Sequence, residues 1–403
     1  MNLSRKIRDD TLYVGGEDRK IKLFEHTLPI HKGVTYNSYL LLDEKTALRD
    51  TADQDISRQF IENVEESLKG RKLDYLIIHH REPDHCYNIK EILLRHPETK
   101  LVGNRKTFLF LHQFFPLLNT KDKEILVKEG DTLTLGKHVL KFIRASMVHW
   151  PEVRMSFDET DGLLFTADAF GRFNTLDGRL FTDEFDFEKE ILSSARKYYV
   201  NIVGKYGPSV LALFKKLPLD KIKRILPLHG PIYRMKADRR KRMEKYQLWA
   251  SYTPEKKGVA IFYSTRYGDN KEAAEYLARK LNESGIHNLS VYDVSEAEKP
   301  TRIAKAFEFS NLVFICNTYN TGLFPERESL LHDRINLNLQ KRVITLIQNG
   351  TWAPTALKQR KDKLSTVKTF SFTPTEVTIK SSPDQKTAEE LVKVKDEIIE
   401  SRK

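Results

Sequence analysis

Thiols are scarce in this 403-residue chain: Cys86 and Cys316 are the only two, too few for a disulfide framework or a thiolate zinc cage. No stretch reaches the roughly 18 consecutive apolar residues that a spanning helix needs. The opening Met1-Asn2-Leu3-Ser4-Arg5-Lys6-Ile7-Arg8-Asp9-Asp10 has no apolar segment of the kind a secretory signal carries. There are no internal repeats and no low-complexity tracts, which excludes solenoids and disordered linkers. These absences predict a protein of a reducing, cytoplasmic compartment with no membrane segment.

What is present suits globular domains: 40% hydrophobic and 31% charged residues, with a mean hydropathy of −0.51. At about 150 residues per domain the length allows two or three. Lys and Arg outnumber Asp and Glu by 68 to 56, a net charge of +12. The excess is spread along the chain, so a nucleic-acid partner is not expected. One local run, Lys236, Arg239, Arg240, Lys241, Arg242 and Lys245, reads as a solvated helix face or, alternatively, as a docking patch for an acidic partner protein.

A break in character falls at Thr253-Pro254-Glu255-Lys256-Lys257-Gly258, a turn-rich, charged stretch between two periodic segments. We therefore divide the chain into residues 1–254 and 255–403. In the second part, apolar strand-like runs at Val259–Tyr263, Asn311–Cys316 and Arg342–Ile347 alternate with helical patterns at Asn270–Leu281 and Ala388–Ser401. That alternation predicts a doubly wound parallel sheet. The first part has strand-like runs at Ser38–Leu42, Ala47–Asp50, Tyr75–Ile78 and Leu101–Val102, with a helical stretch at Ser57–Leu68; it reads as a mixed α/β domain.

The densest chemistry follows the apolar run Leu73–Ile78: His79-His80-Arg81-Glu82-Pro83-Asp84-His85. Imidazoles and carboxylates at a strand end, with no thiolate beside them, suit a first-row divalent metal; a charged surface loop is the alternative. Three later elements add weight. His149 sits beside Trp150 and Pro151, Asp168 is embedded in the apolar stretch Leu164–Phe170, and His229 ends an apolar run before Gly230-Pro231. A buried carboxylate such as Asp168 is costly unless paired or bound to a cation.

In order and spacing these elements resemble the metallo-β-lactamase superfamily, whose first motif is HxHxDH within an αββα sandwich. Glu82 stands where the hydrolases carry His, and in this the chain is similar to the flavodiiron proteins, or A-type flavoproteins. Gly33-Val34-Thr35-Tyr36-Asn37-Ser38-Tyr39, Tyr198-Tyr199-Val200-Asn201-Ile202 and His229-Gly230-Pro231-Ile232-Tyr233-Arg234 extend the likeness over essentially the whole chain. The resemblance implies an N-terminal metallo-β-lactamase-like sandwich followed by a flavodoxin-like sheet. It implies one iron on His80, Glu82 and His149, a second on Asp84, His85 and His229, and Asp168 bridging them. His79 is expected to support the site from the opposite face of its strand. His26 and Tyr36 are carried over as candidate proton or hydrogen-bond donors. Cys86-Tyr87 and Glu152-Val153-Arg154 depart from the family's usual residues and are expected to alter the pocket wall, with Cys86 a buried small hydrophobe.

Three loops follow the strands of the second part. Ser264-Thr265-Arg266-Tyr267-Gly268-Asp269-Asn270 leads into a helix and offers hydroxyls and backbone N–H groups to a phosphate. Asn317-Thr318-Tyr319-Asn320-Thr321-Gly322 and Gln348-Asn349-Gly350-Thr351-Trp352 follow the next two strands, at the sheet end where open α/β folds bind ligands. Tyr319 and Trp352 supply aromatic surfaces on which an isoalloxazine stacks. The likeness to flavodoxins implies FMN on these loops, with Asp269 unfavourable beside a phosphate unless it points away.

What the resemblance implies is an FMN- and di-iron-dependent oxidoreductase reducing O2 to water, NO to N2O, or both. Two ferrous ions and a reduced FMN together hold the four electrons that O2 reduction requires. Electrons would come from a separate rubredoxin, ferredoxin or flavin reductase, and a head-to-tail homodimer, or a tetramer built from it, would bring flavin and iron together. A zinc hydrolase of the lactamase superfamily with a flavodoxin-like appendage is the alternative. An electron-transfer module with a degenerate metal site is a third reading.

Overall fold

The computed structural model describes residues 1–319, 337–352, 354–367 and 369–402, and the backbone of the short strand Gly322–Leu323. The chain forms two compact units, Met1–Gln247 and Leu248–Lys403. No helix among the described residues is long and apolar enough to cross a membrane.

The first unit is built on two sheets. Seven strands form one, in the spatial order Arg5–Lys6, Thr11–Tyr13, Tyr39–Leu42, Thr46–Arg49, Tyr75–Ile77, Lys100–Gly103 and Glu124–Leu126. The first four pair antiparallel and the rest continue in parallel from Thr46–Arg49. Parallel neighbours need crossovers, and the helices Ser57–Leu68, Ile89–Arg95 and Arg105–Phe114 supply them. The second sheet is the meander Thr132–Thr134, Val139–Arg144, Arg154–Asp158 and Leu163–Phe165, to which Arg224–Leu226 adds in parallel.

The two sheets share a core. Leu41, Ala47, Ile77 and Val102 of the first pack with Leu135, Leu140 and Phe142 of the second side of the sandwich. Tyr39 likewise meets Leu163, Phe165 and Leu226. The helix Ser57–Leu68 turns Phe60, Ile61, Val64 and Leu68 inward, the stripe its 3.6-residue spacing predicts. This layering is the metallo-β-lactamase-like arrangement expected from the sequence. Its consequence for chemistry is positional: Asp50, His79 and His80, Asp168, and His229 all lie just beyond the carboxyl ends of strands. Gly33 turns the chain into the buried Val34–Tyr36 strand at φ +63°, where a Cβ would meet the Asp18 carbonyl at 2.2 Å.

The second unit is a parallel sheet in the order Leu289–Asp293, Lys256–Tyr263, Phe309–Tyr319, Arg342–Asn349 and Phe370–Phe372. Val377–Ile379 also pairs with Arg342–Asn349. The direction of winding reverses between Lys256–Tyr263 and Phe309–Tyr319, which creates the crevice where such sheets bind ligands. Val259, Ile261, Val313, Ile315 and Ile347 form its core with Leu277 of the helix Asp269–Glu283 and Leu391 and Val394 of Gln385–Glu400.

One member of the basic run departs from a solvated face. In the helix Lys236–Ala250, Arg242 is fully buried and donates to the Gly171 carbonyl at 3.0 Å. Arg240 pairs with Glu244 and Lys241 with Glu188. The helix packs its Arg242 side inward, while Lys236, Arg240 and Lys241 remain exposed.

Candidate metal centre and flavin loops

Seven side chains from four segments converge in the first unit. His80 Nε2, Glu82 Oε2, His149 Nε2 and Asp168 form one group, and Asp84, His85 and His229 form another. In the first, His80 Nε2 lies 3.1 Å from Glu82 and 3.2 Å from Asp168 Oδ2, while His149 Nε2 lies 3.1 Å from each of the same two oxygens. In the second, His85 Nε2 is 3.4 Å from Asp84 and 3.0 Å from Asp168 Oδ1. His229 Nε2 is 3.5 Å from Asp84 and 3.4 Å from Asp168 Oδ1. Asp168 therefore turns one oxygen to each group.

These spacings fit metal ions. Donors about 2.1 Å from a common ion lie roughly 3.0–3.4 Å apart at octahedral or tetrahedral angles. The atoms are also orphaned in the way ligands are: both Asp84 oxygens and His229 Nε2 are buried without a hydrogen-bond partner among the described residues. The other ring nitrogens are held from behind. His80 Nδ1 donates to Glu152 Oε1 at 2.8 Å, and His229 Nδ1 donates to the Thr35 carbonyl at 2.6 Å. That fixes both tautomers with Nε2 as the lone pair.

The protonation balance points the same way. Burial drives the Asp84 carboxyl well above its usual range, whereas the surrounding imidazoles outweigh burial at Asp168 and hold it well below. His85 and His149 are pushed up to about 9 because neighbouring carboxylates outweigh burial. His229 is pushed down to about 4 by burial and by His85. Three buried carboxylates and four imidazoles crowded this closely are an arrangement for divalent cations.

Around them, His79 turns away from the group: its Nδ1 meets Asp50 at 2.7 Å and its Nε2 meets Ser156 at 2.8 Å. Cys86 is buried, its thiol donates to the His80 carbonyl at 3.1 Å, and burial pushes it up to about 12, which keeps it protonated. Tyr36 is buried, with its ring 5.7 Å from that of His229. His26 is exposed on the turn between Leu23–Phe24 and Leu28–Pro29, and no hydrogen bond, ion pair or ring contact among the described residues joins it to the group.

Sequence reasoning passed over three residues. Glu152, expected only to reshape the wall, is the buried acceptor behind His80 and also takes the Arg81 N–H at 3.0 Å. Tyr198 sets its ring 5.5 Å from that of His229, tilted by 53°, and its buried hydroxyl has no hydrogen-bond partner among the described residues. Glu25 lies on an exposed turn, yet desolvation and the charge of Glu82 push its carboxyl up to about 7. Glu152 two residues past Trp150 was a legible acid. Nothing local marked Glu25 or Tyr198 as neighbours of the histidines.

In the second unit the three loops meet through asparagines. Asn270 Nδ2 donates to the Ser264 carbonyl at 2.8 Å and to Asn317 Oδ1 at 2.6 Å, and Asn349 Nδ2 donates to Asn270 Oδ1 at 3.0 Å. Ser264 Oγ is buried without a hydrogen-bond partner among the described residues, and Gly268, at φ +107°, caps the helix Asp269–Glu283. A free hydroxyl beside a helix N-terminus is what a flavin phosphate requires. Thr265 Oγ1 accepts from the Gly268 N–H at 2.9 Å. Asp269 is engaged by the Ser382 hydroxyl. Thr318 Oγ1 accepts from the N–H groups of Thr355 and Ala356 at 3.2 and 3.4 Å, Gly350 N–H donates to the Ile379 carbonyl at 3.1 Å, and Thr351 meets Ser381 at 3.0 Å. Arg266 lies over both Tyr267 and Tyr319, and Tyr267 and Trp352 are 85% and 80% exposed, as aromatic faces that receive a planar ligand would be. Gly322 pairs with Tyr319 in a short antiparallel ladder; Asn320 lies outside the described residues.

Comparison with known proteins agrees with both units. Residues 34–230 match the family described as ODP family beta lactamase, and residues 261–392 match flavodoxin. The anaerobic nitric oxide reductase flavorubredoxin of Aeromonas hydrophila is 28% identical over 371 residues, covering 90% of this chain and 73% of that protein. The rubredoxin oxygen:oxidoreductase of Desulfovibrio gigas superposes with a TM-score of 0.92 at 24% identity, over 99% of this chain and 98% of that one. The flavodiiron protein of Giardia intestinalis gives 0.90 at 20% identity, over 100% and 98%. A β-lactamase-like domain followed by a flavodoxin domain defines a class of two-domain flavoproteins. In that pairing and in its flavorubredoxin relatives the chain is similar to the flavodiiron proteins.

Proposed function

We propose that this protein is an FMN- and di-iron-dependent oxidoreductase that reduces O2 to water, NO to N2O, or both. The observation that carries the reading is the divided carboxylate of Asp168, one oxygen toward His80 and His149 and the other toward His85 and His229. His80, Glu82 and His149 would hold one iron, Asp84, His85 and His229 the second, with Asp168 shared. When bound, the iron pair and FMN supply the electrons and the open coordination positions for the gas.

The chain's own residues do the rest. Glu152 and Thr35 orient His80 and His229, so that neither imidazole must reorganise during turnover. The rings of Phe24, Tyr36 and Tyr198 pack around His229 and keep water from that side. The Tyr198 hydroxyl is held far above its usual pKa by burial and by Asp168, Asp84 and Glu82, so it stays a hydrogen-bond donor. Desolvation and the Glu82 charge raise the Glu25 carboxyl to about 7, so it can carry a proton near neutral pH.

The flavin is proposed on Ser264–Asn270, Asn317–Gly322 and Asn349–Trp352, with the working boundary between the domains at residue 254. Electrons are proposed to come from a rubredoxin, ferredoxin or flavin reductase, as the names of the relatives support. Head-to-tail dimers, or tetramers of them, in the cytoplasm complete the reading.

The test is gas consumption by chemically reduced, anaerobically prepared protein, with O2 and NO offered separately. Rapid loss of either gas is expected, and the ratio of the rates assigns the substrate. Protein that holds iron and FMN but consumes neither would overturn the reading. Hydrolysis of thioesters or lactams by zinc-loaded protein would replace it.

A further inference from the structure

The amino ends of the parallel strands Leu163–Phe165 and Arg224–Leu226 face away from the metal-binding residues, which follow their carboxyl ends. At that opposite edge is a cleft of about 300 Å³. Six cations line it, Arg8, Lys223, Arg224, Arg234, Lys236 and Arg239, against one acid, Asp161. The helix Lys236–Ala250 opens on it, so its first N–H groups and the positive end of its dipole add to the field.

Not all of this charge is spent within the fold. Asp161 is taken by Arg8 at 2.7 Å, and Asp183 is held by Arg234 in a bidentate pair at 2.8 and 2.9 Å. Among the described residues, Arg239 reaches only a backbone carbonyl, that of Arg234. Asp238, in the first turn of the helix, is turned to the Thr182 hydroxyl at 2.8 Å. Lys223, Arg224 and Lys236 have no carboxylate within 4.0 Å among the described residues, and Arg224 Nη1 is buried with no hydrogen-bond partner. Burial and the charges of Arg8 and Arg234 depress Arg224, and burial and Arg224 depress Arg239. Cations so close to one another call for an anion among them.

We propose that this cleft is a binding site for a small phosphate-bearing anion of at least two phosphate groups. The concavity takes a compact, multiply charged ligand, and guanidinium forks with a helix N-terminus match phosphate oxygens. An acidic protein face would reach the exposed Lys223 and Lys236 but not the buried edge of Arg224. The site is independent of the iron and flavin chemistry.

Calorimetric titration of the loaded protein with sodium diphosphate tests it. One saturable site per chain is expected, weakening steeply with salt. Lys236→Ala and Arg224→Ala should each weaken it at least tenfold, while Lys121→Ala, on a distant exposed turn, leaves it unchanged. Lys223→Ala with Lys236→Ala serves if the partly buried Arg224 is needed for folding. Saturable binding that survives every substitution is diphosphate at the iron and overturns the proposal, as does no binding. So does a hexaglutamate peptide that binds as tightly as diphosphate and displaces it, which would assign the surface to an acidic protein.

Discussion

Asp168 lies 3.1 Å from His149 through Oδ2 and 3.0 Å from His85 through Oδ1. One carboxylate, on the turn after Leu163–Phe165, thus joins two histidine groups from separate loops. Replacing it by Asn keeps the shape but removes a charge and turns one oxygen into an amide donor. Asp168→Asn is expected to hold at most one iron per chain while keeping FMN. Metal analysis beside flavin absorbance checks this, and two retained irons would remove Asp168 from the shared position.

The contact between Glu152 and His80 predicts a subtler defect. Loss of an acceptor behind a metal-ligating imidazole typically lowers metal affinity about 10–100-fold. Glu152→Ala should show that loss in a chelator competition, with FMN content unchanged. An unaltered affinity would return Glu152 to the role of a wall residue.

Tyr198→Phe removes a buried hydroxyl that has no hydrogen-bond partner among the described residues, so folding and metal content should hold. If the hydroxyl donates to the reacting gas, turnover falls roughly tenfold or more. Wild-type rates in this variant would leave Tyr198 only a packing role around His229.

In the flavin loops, Ser264 Oγ is a buried hydroxyl with no hydrogen-bond partner among the described residues. One hydrogen bond to a charged phosphate is worth about 1.5–3 kcal/mol, so Ser264→Ala should weaken FMN at least tenfold in a fluorescence titration. A change below twofold would place the phosphate elsewhere.

A pH dependence of stability follows from His138, which is buried between Asp158 at 2.8 Å and Asp10 at 2.9 Å. Both carboxylates raise its pKa against the opposing effect of burial. A raised folded pKa stabilises fully below the unfolded value of about 6.5 and is lost as pH rises through the folded value. Asp10, lowered to about 2 by Lys137 and His138 despite burial, acts oppositely, losing its contribution as pH falls from about 4 toward 2. The difference in melting temperature between the parent and His138→Gln should therefore shrink from pH 6 to pH 9. A constant difference would show that His138 is neutral in the folded protein.

Much of this protein was legible before any folding was considered. Strand and helix periodicity located the chief elements of both units, because apolar residues must recur at 2 or 3.6 to reach a core. Helix Ser57–Leu68 was located to the residue, while the predicted Asn311–Cys316 lengthened to Phe309–Tyr319. The ligand loop was readable because His80, Glu82, Asp84 and His85 share one short segment, and Asp168 because a carboxylate inside an apolar run needs a partner. Other properties had no local signal. Arg242 looked like its basic neighbours until the helix face was set by packing on Gly171. Tyr198, Glu25 and the cationic cleft from residues 8, 223–224 and 234–239 arise where segments far apart in the chain come together. Sequence by itself determined which side chains are candidates to hold metal and flavin and which elements carry them. Tertiary structure alone decided which charges are buried, which are paired and which face each other, because those depend on distances that only the closed sandwich and sheet impose.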